Sequence, residues 1–204
     1  GNTRRFGASL EKIKQVVDVR DGEIMFGLNM VVHKGKTIFV GDTSVHEYPT
    51  SEQMAEIAIS TARVVRLFGF EPKVAFVSHS TFGQPLTSRT KHIRKAVDIL
   101  KEQKVDFEFD GDMQPDVALN SEYKELYPFS NIVGEANILI MPGQHSAAIS
   151  YKMMKTLGDT KVIGPLLIGL GLPIEIAPLR SSTSELINLA SVAAYSADII
   201  DYKK

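Results

Sequence analysis

Residues 72–83 read Pro72-Lys73-Val74-Ala75-Phe76-Val77-Ser78-His79-Ser80-Thr81-Phe82-Gly83. Lys73–Ser78 is a short apolar run, the pattern of a strand buried on both faces. The stretch after it is rich in hydroxyls and ends on Gly, so the strand empties into a polar loop. Moving outward, Arg89–Gln103 has helical spacing, Val105–Phe109 and Ala136–Met141 are strand-like, His145–Leu157 is a helix, and Val162–Leu170 is apolar and Gly-rich. Strands separated by helices of this length predict an α/β fold, with a parallel-rich sheet covered by helices on both faces.

Upstream, Leu10, Ile13, Val16 and Val17 predict a helix over 9–18. A hairpin comes next, from Glu23–Val32 through a Lys34-Gly35-Lys36 turn to Thr37–Val40. Thr50 with Gln53 three residues on forms a capping box, which satisfies N–H groups left free at a helix start. The helix it opens carries Met54, Ile57, Ala58, Val65 and Phe68 on one face and stops at Gly69. Ser182 with Glu185 repeats the box. It opens a last helix whose expected packing face is Leu186, Leu189, Ala190, Ala193 and Ala197.

The 204 residues are 44% hydrophobic and 23% charged, values of an ordinary globular chain able to bury a core. No cysteine is present, which excludes a disulfide framework, a thiolate nucleophile and a Cys-based zinc site, and fits a cytoplasmic setting. Lys and Arg number 23 against 24 Asp and Glu, without the basic excess of a nucleic-acid surface. Apolar stretches break before the roughly 20 residues a membrane span needs, so no membrane partner is expected. The chain starts Gly1-Asn2-Thr3-Arg4-Arg5 and runs at once into a helical pattern, and it reads as a stretch of a longer polypeptide.

Ligands of parallel sheets collect at the carboxyl ends of strands, where loops meet helix N-termini. Ser78–Gly83, Asp110–Gln114 and Pro142–Ser146 are expected there. The hydroxyls of Ser80 and Thr81 suit a phosphate, and a loop that merely turns the chain is an equal reading. No P-loop and no Gly-x-Gly-x-x-Gly opening a helix after a strand is present. His33, His46, His79, His92 and His145 show no His-x3-His pair for zinc. His33 and His92 read as solvated, whereas His46, His79 and His145 fall in loops after strands. Asp110, Asp112 and Asp116 around Gly111 lack the downstream Glu of a calcium hand and read as turn formers.

At these loops a resemblance emerges. Asp42-Thr-Ser-Val-His-Glu-Tyr-Pro-Thr-Ser-Glu-Gln-Met-Ala-Glu-Ile-Ala resembles a segment of phosphate acetyltransferases. So do Ser78-His-Ser-Thr-Phe-Gly, Phe109-Asp-Gly-Asp-Met-Gln-Pro-Asp, Ala136-Asn-Ile-Leu-Ile-Met-Pro, Ile149-Ser-Tyr-Lys and Ile163-Gly-Pro-Leu-Leu-Ile-Gly-Leu. His46, Tyr48, Leu126-Tyr-Pro-Phe and Pro142-Gly-Gln-His-Ser make the chain similar to the phosphotransacetylase-like carboxy-terminal domain of bacterial NADP-dependent malic enzymes, within the phosphate acetyl/butyryltransferase superfamily.

The resemblance implies an isocitrate/isopropylmalate dehydrogenase-like fold with its first lobe truncated. Residues 1–72 and about 183–204 would belong to that lobe, and about 73–182 to the second. It also implies an acetyl-CoA site drawn from Ser78, Ser80, Thr81, Gly83, Asp110, His145, Ser146, Arg180 and Glu185, with no metal and no resident cofactor in this segment. The chain departs from the family pattern at one motif. True acetyltransferases carry Ser-Arg-Gly after the last core strand, whereas Pro178 and Leu179 occupy the Ser and Arg positions here and Arg180 is displaced by one; the acidic residue that follows the motif is kept as Glu185. Without cationic stabilisation of the phosphate oxygens, transfer chemistry is not expected.

The resemblance therefore implies a regulatory domain that senses a CoA ester, acetyl-CoA. Its partners would be a malic enzyme domain of the same chain, which holds NADP and Mg or Mn, and further copies in a homo-oligomer. An active phosphate acetyl- or butyryltransferase and a structural oligomerisation module are the rival readings.

Overall fold

The computed structural model describes residues 4–199; residues 1–3 and 200–204, the outer ends of the expected first-lobe segments, lie outside the described residues. The elements in order are α1 (Phe6–Ile13), β1 (Phe26–His33), β2 (Lys36–Gly41), α2 (Ser51–Leu67), β3 (Lys73–Val77), α3 (Ser88–Gln103) and β4 (Glu108–Met113). They continue with α4 (Pro115–Leu119), α5 (Ser121–Lys124), β5 (Ile138–Ile140), α6 (Gln144–Leu157), β6 (Thr160–Ile168) and α7 (Thr183–Ile199).

The strands form a six-stranded sheet of order β4-β3-β5-β2-β1-β6. β2, β5, β3 and β4 pair in parallel, while β1 is antiparallel to both β2 and β6. The sheet is therefore mixed. The expected lobe border at residue 72 falls between α2 and β3, and strands from both sides of it share this sheet.

Alternation along the strands sends successive side chains to opposite faces. Val74 and Phe76 of β3 and Ile138 and Ile140 of β5 pack with Met54, Ile57 and Val65 of α2 and with Ile93, Val97 and Leu100 of α3. Ala75, Val77 and Leu139 turn the other way, onto Met113, Ala118 of α4 and Ala147 of α6. Full burial of each large side chain contributes about 1.5–3 kcal/mol, so α2 and α3 are held mainly by this face. Their starts are fixed by Thr50–Gln53 and Thr87–Thr90 capping boxes, and α2 ends before Gly69 at φ +83°.

β1 starts later than in the sequence reading, at Phe26, and β5 is shorter, spanning Ile138–Ile140; three further elements differ in place or in buried face. The first helix spans Phe6–Ile13, not 9–18, because the chain must turn to bring Val19 beside Leu170; Val16 is left 80% exposed. The fourth strand is Glu108–Met113, not Val105–Phe109. Lys104 ends α3 with positive φ, and pairing with β3 begins only at Glu108 opposite Lys73. The last helix starts where expected, but of its expected packing face only Leu189 is buried, and Leu186 is exposed. Glu185, Asn188, Leu189 and Val192 turn inward instead.

Candidate functional site

The parallel strands deliver their loops to one edge: 42–47 after β2, 78–83 after β3, Gln114 after β4 and 141–143 after β5. Buried carboxylates tie these loops down. Asp42 accepts from the backbone N–H of Gly27 (2.8 Å), Ser44 (2.8 Å) and His46 (2.7 Å), from Val45, and from the His46 Nδ1 at 2.8 Å. Five donors on one carboxylate make loop 42–46 a rigid shelf.

Asp112 does the same for the Ser-Thr loop. Pairing of β4 with β3 runs Phe76 to Gly111 and then Val77 to Met113, so Asp112 is an extra residue at a bulge. Gly111 is required there: its φ is +157°, and a Cβ would sit 2.7 Å from that of Phe76. The bulge turns the Asp112 carboxylate to accept from the Ser80 hydroxyl and from the Gly83 N–H at 3.1 Å. Thr81 Oγ1 accepts from the Gln114 N–H at 3.2 Å, and Asp110 accepts from the N–H groups of Gly111 (2.9 Å) and Asn131 (2.7 Å). Ser80, Thr81, Gly83 and Asp110 are all buried, with their polar atoms engaged inside the protein.

The nine expected site residues therefore do not converge. Ser78 and Ser146 share a cavity between α3 and α6. Glu185 lies in a different one. His145 is exposed, stacked against Tyr48 and 3.4 Å from Glu47, and Arg180 is exposed beyond the turn at Pro178. Of the other expected histidines, His46 is held by Asp42, and His79 is exposed. His92 is exposed, as expected, and also bridges two segments: its Nε2 lies 2.9 Å from the Pro49 carbonyl and its Nδ1 3.0 Å from Ser51 Oγ.

The cavity holding Glu185 has a volume of about 470 Å³, between α6, β6, the start of α7 and the Asp42 shelf. Thr43 and Ser44 line one side, Gln144, Tyr151 and Lys155 of α6 another, and Glu185 and Asn188 of α7 a third; Val162, Ile163 and Pro165 give an apolar wall. The Ser182 N–H donates to Glu185 at 2.7 Å, and the Glu185 N–H donates back to the Ser182 hydroxyl at 3.3 Å, which completes the second capping box. Lys155 reaches across from α6 onto the same carboxylate. That contact, then the Ser182 N–H, pushes the Glu185 carboxyl down to about 2.

Tyr151 is shifted up mainly by burial, with Asn29 and Lys155 pulling the other way. Asn29 is fully buried on β1 behind Gly164, and neither of its amide atoms finds hydrogen-bond geometry. Gly164, at φ +130°, allows this approach, since a Cβ would lie 2.4 Å from Asn29 Oδ1. Pro178 also lines the cavity, at the position where the resemblance places the serine of the transfer motif.

Thr43, Ser44, Gln144, Tyr151, Lys155 and Asn188 are absent from the expected set. Thr43, Ser44, Gln144 and Tyr151 lie inside stretches that carry the resemblance, so their motifs were a signal. Lys155 and Asn188 had none, because only packing of α7 against α6 brings them to one space.

The profile of the phosphate acetyl/butaryl transferase family matches residues 1–194. The chain belongs to that family. It is 45% identical over 197 residues to an NADP-dependent malic enzyme of Rhizobium meliloti, covering 97% of this chain and 26% of that protein. A phosphate acetyltransferase of Clostridium acetobutylicum is 35% identical over 78% of this chain and 49% of its own length. Among solved structures, a phosphotransacetylase from Streptococcus pyogenes superposes with TM-score 0.89 at 28% identity, over 97% of this chain and 61% of that one. EutD phosphotransacetylase from Staphylococcus aureus gives 0.85 at 26% identity, over 97% and 62%. The chain thus spans about a quarter of the malic enzyme it matches and about half of the transferase.

Proposed function

We propose that this chain is the acetyl-CoA-sensing, phosphotransacetylase-like domain of an NADP-dependent malic enzyme, and that it carries no transferase activity of its own. The observation behind the proposal is the 470 Å³ cavity under α7, whose wall keeps Glu185 and adds Lys155 but meets Pro178 at the transfer motif. Its apolar side suits an acyl chain, and Lys152 and Lys155 at its rim suit an anionic carrier. Leu179 offers no positive charge to an acyl phosphate, so binding without turnover is the natural consequence.

The 45% identity to a malic enzyme supports the wider reading. The parent protein would decarboxylate malate oxidatively to pyruvate in the cytoplasm, with NADP and a divalent metal held in the rest of its chain. The described residues do not fit those groups: no three His, Asp or Glu side chains gather as metal ligands, and no dinucleotide fingerprint is present. An isocitrate/isopropylmalate dehydrogenase-like ancestry belongs to the same proposal. So does assembly with further copies, for which Ile149, Met153 and Leu157 form an exposed apolar stripe on α6.

Acetyl-CoA titrated calorimetrically into the chain should bind saturably, and Lys155→Ala should weaken it. Acetyl phosphate plus CoA should give no acetyl-CoA above the no-protein control. Measured turnover would favour the transferase reading, for which retention of Glu185 speaks. Absent binding in both the chain and its full-length parent would leave assembly as its role.

A further inference from the structure

A second cavity, of about 300 Å³, opens between α3 and α6 over the carboxyl end of β3. It is separate from the cavity under α7. Ser146 and Ser150 line this one from α6, whereas Gln144, Ala148, Tyr151 and Lys155 line the other, and these two sets project from opposite sides of the helix. We propose that the α3–α6 cavity is an independent site for a small organic phosphate, with Arg89 binding the phosphate group.

Three observations carry the proposal. The first is charge. Arg89 projects from the first turn of α3 into the cavity, and its guanidinium lies 5.7 Å from the Tyr48 ring with no carboxylate in ion-pairing range among the described residues. A guanidinium held by an aromatic face keeps its forked donors free for an oxyanion. The second is selection. Among the described residues, no Asp or Glu lines this cavity or the adjoining recess that shares Arg89, Ile93 and Pro142, although acids outnumber bases in the whole chain at 24 to 23. An anion entering here meets no opposing charge on the walls.

The third is the remaining donors. Ser150 has its hydroxyl free of any hydrogen bond among the described residues, and Ser78 only accepts, from the Ser80 N–H at 3.3 Å, so its proton is unspent. Both line the cavity with His79, above an apolar floor of Val77, Ile93 and Met141. A cation and hydroxyl donors over an apolar floor suit a phosphate carrying a short carbon body. The same phosphate chemistry could come from the head group of a CoA ester reaching round α6, and the experiment separates the two sources.

Calorimetry on the 204-residue chain with glycerol 3-phosphate and with inorganic phosphate should give saturable binding. Loss of a charged hydrogen-bonding partner predicts about a tenfold or larger weakening in Arg89→Ala. Ser150→Leu, which replaces a hydroxyl donor by a bulkier apolar side chain in the cavity wall, should weaken or remove binding. Lys91→Ala, an exposed cation on α3 outside the cavity, should leave it unchanged, and acetyl-CoA affinity should be the same in Arg89→Ala as in the wild type. The proposal is overturned if neither phosphate binds, or if Lys91→Ala weakens binding as much as Arg89→Ala. Equal loss of phosphate and acetyl-CoA binding in Arg89→Ala would also overturn it, since the cavity would then belong to the CoA ester. Failure of both phosphates to bind would leave the reading of the cavity under α7 untouched, whereas loss of acetyl-CoA binding in Arg89→Ala would count against both.

Discussion

Replacing Glu175 by Gln should stabilise the fold at neutral and alkaline pH and leave it unchanged at acid pH. Glu175 sits in the Gly171–Ile176 connection, where its Oε2 accepts from the Leu167 N–H at 3.0 Å. Burial pushes its carboxyl from 4.5 up to about 8, against the opposing pull of that N–H. Below 4.5 the acid is protonated in both folded and unfolded chains, and it has no pH-dependent effect. Between 4.5 and 8 the unfolded chain ionises while the folded chain keeps its proton, so stability falls as pH rises and levels off above 8. At 1.36 kcal/mol per pH unit over this interval, the loss reaches about 5 kcal/mol. Gln accepts the same N–H and never ionises, so this slope should vanish in Glu175→Gln. Urea unfolding followed by circular dichroism at pH 4.5, 6, 7 and 8 measures the difference directly. Equal pH slopes in the two proteins would refute the reasoning, because the carboxylate would then be as well solvated folded as unfolded.

Four further outcomes are expected. Asp42→Ala strips a buried acceptor from four backbone N–H groups and should cost about 3–5 kcal/mol in urea unfolding. Ser80→Ala should lower stability by about 1–3 kcal/mol through the buried Asp112 oxygen left without its hydroxyl donor, yet leave acetyl-CoA affinity unchanged by calorimetry; a large affinity loss would return Ser80 to the ligand site. Lys155→Ala removes a solvent-exposed ion pair and should change stability by less than about 1 kcal/mol, while weakening acetyl-CoA measurably. Thr50→Ala should cost about 1 kcal/mol through loss of the α2 cap, read from the same unfolding curves.

Local chemistry made much of this protein legible from its residues alone. The alternation of Val74 and Phe76 with Ala75 and Val77 specifies a two-sided strand, because side chains on a strand have period two. Thr50 with Gln53 and Ser182 with Glu185 mark helix starts, because each box closes through bonds only three residues apart. The family resemblance, carried by 42–58, 78–83 and 163–170, points to the same fold.

Non-local partners are the part that the residues could not disclose. Ser80 and Thr81 read equally as phosphate ligands or as a plain turn, and the sequence could not show that an Asp112 displaced by a strand bulge and the backbone at Gln114 engage them. Apolar period alone could not choose the buried face of α7, whose opposite sides are both apolar; contact with β6 and α6 selects Asn188 and Leu189 over Leu186. The same packing decides the chemistry of the proposed site. Lys155 and Glu185 are thirty residues apart in the chain and meet only because α6 and α7 close on one edge of the sheet. Charge pairing across that distance depends on tertiary geometry, which no local spacing rule encodes.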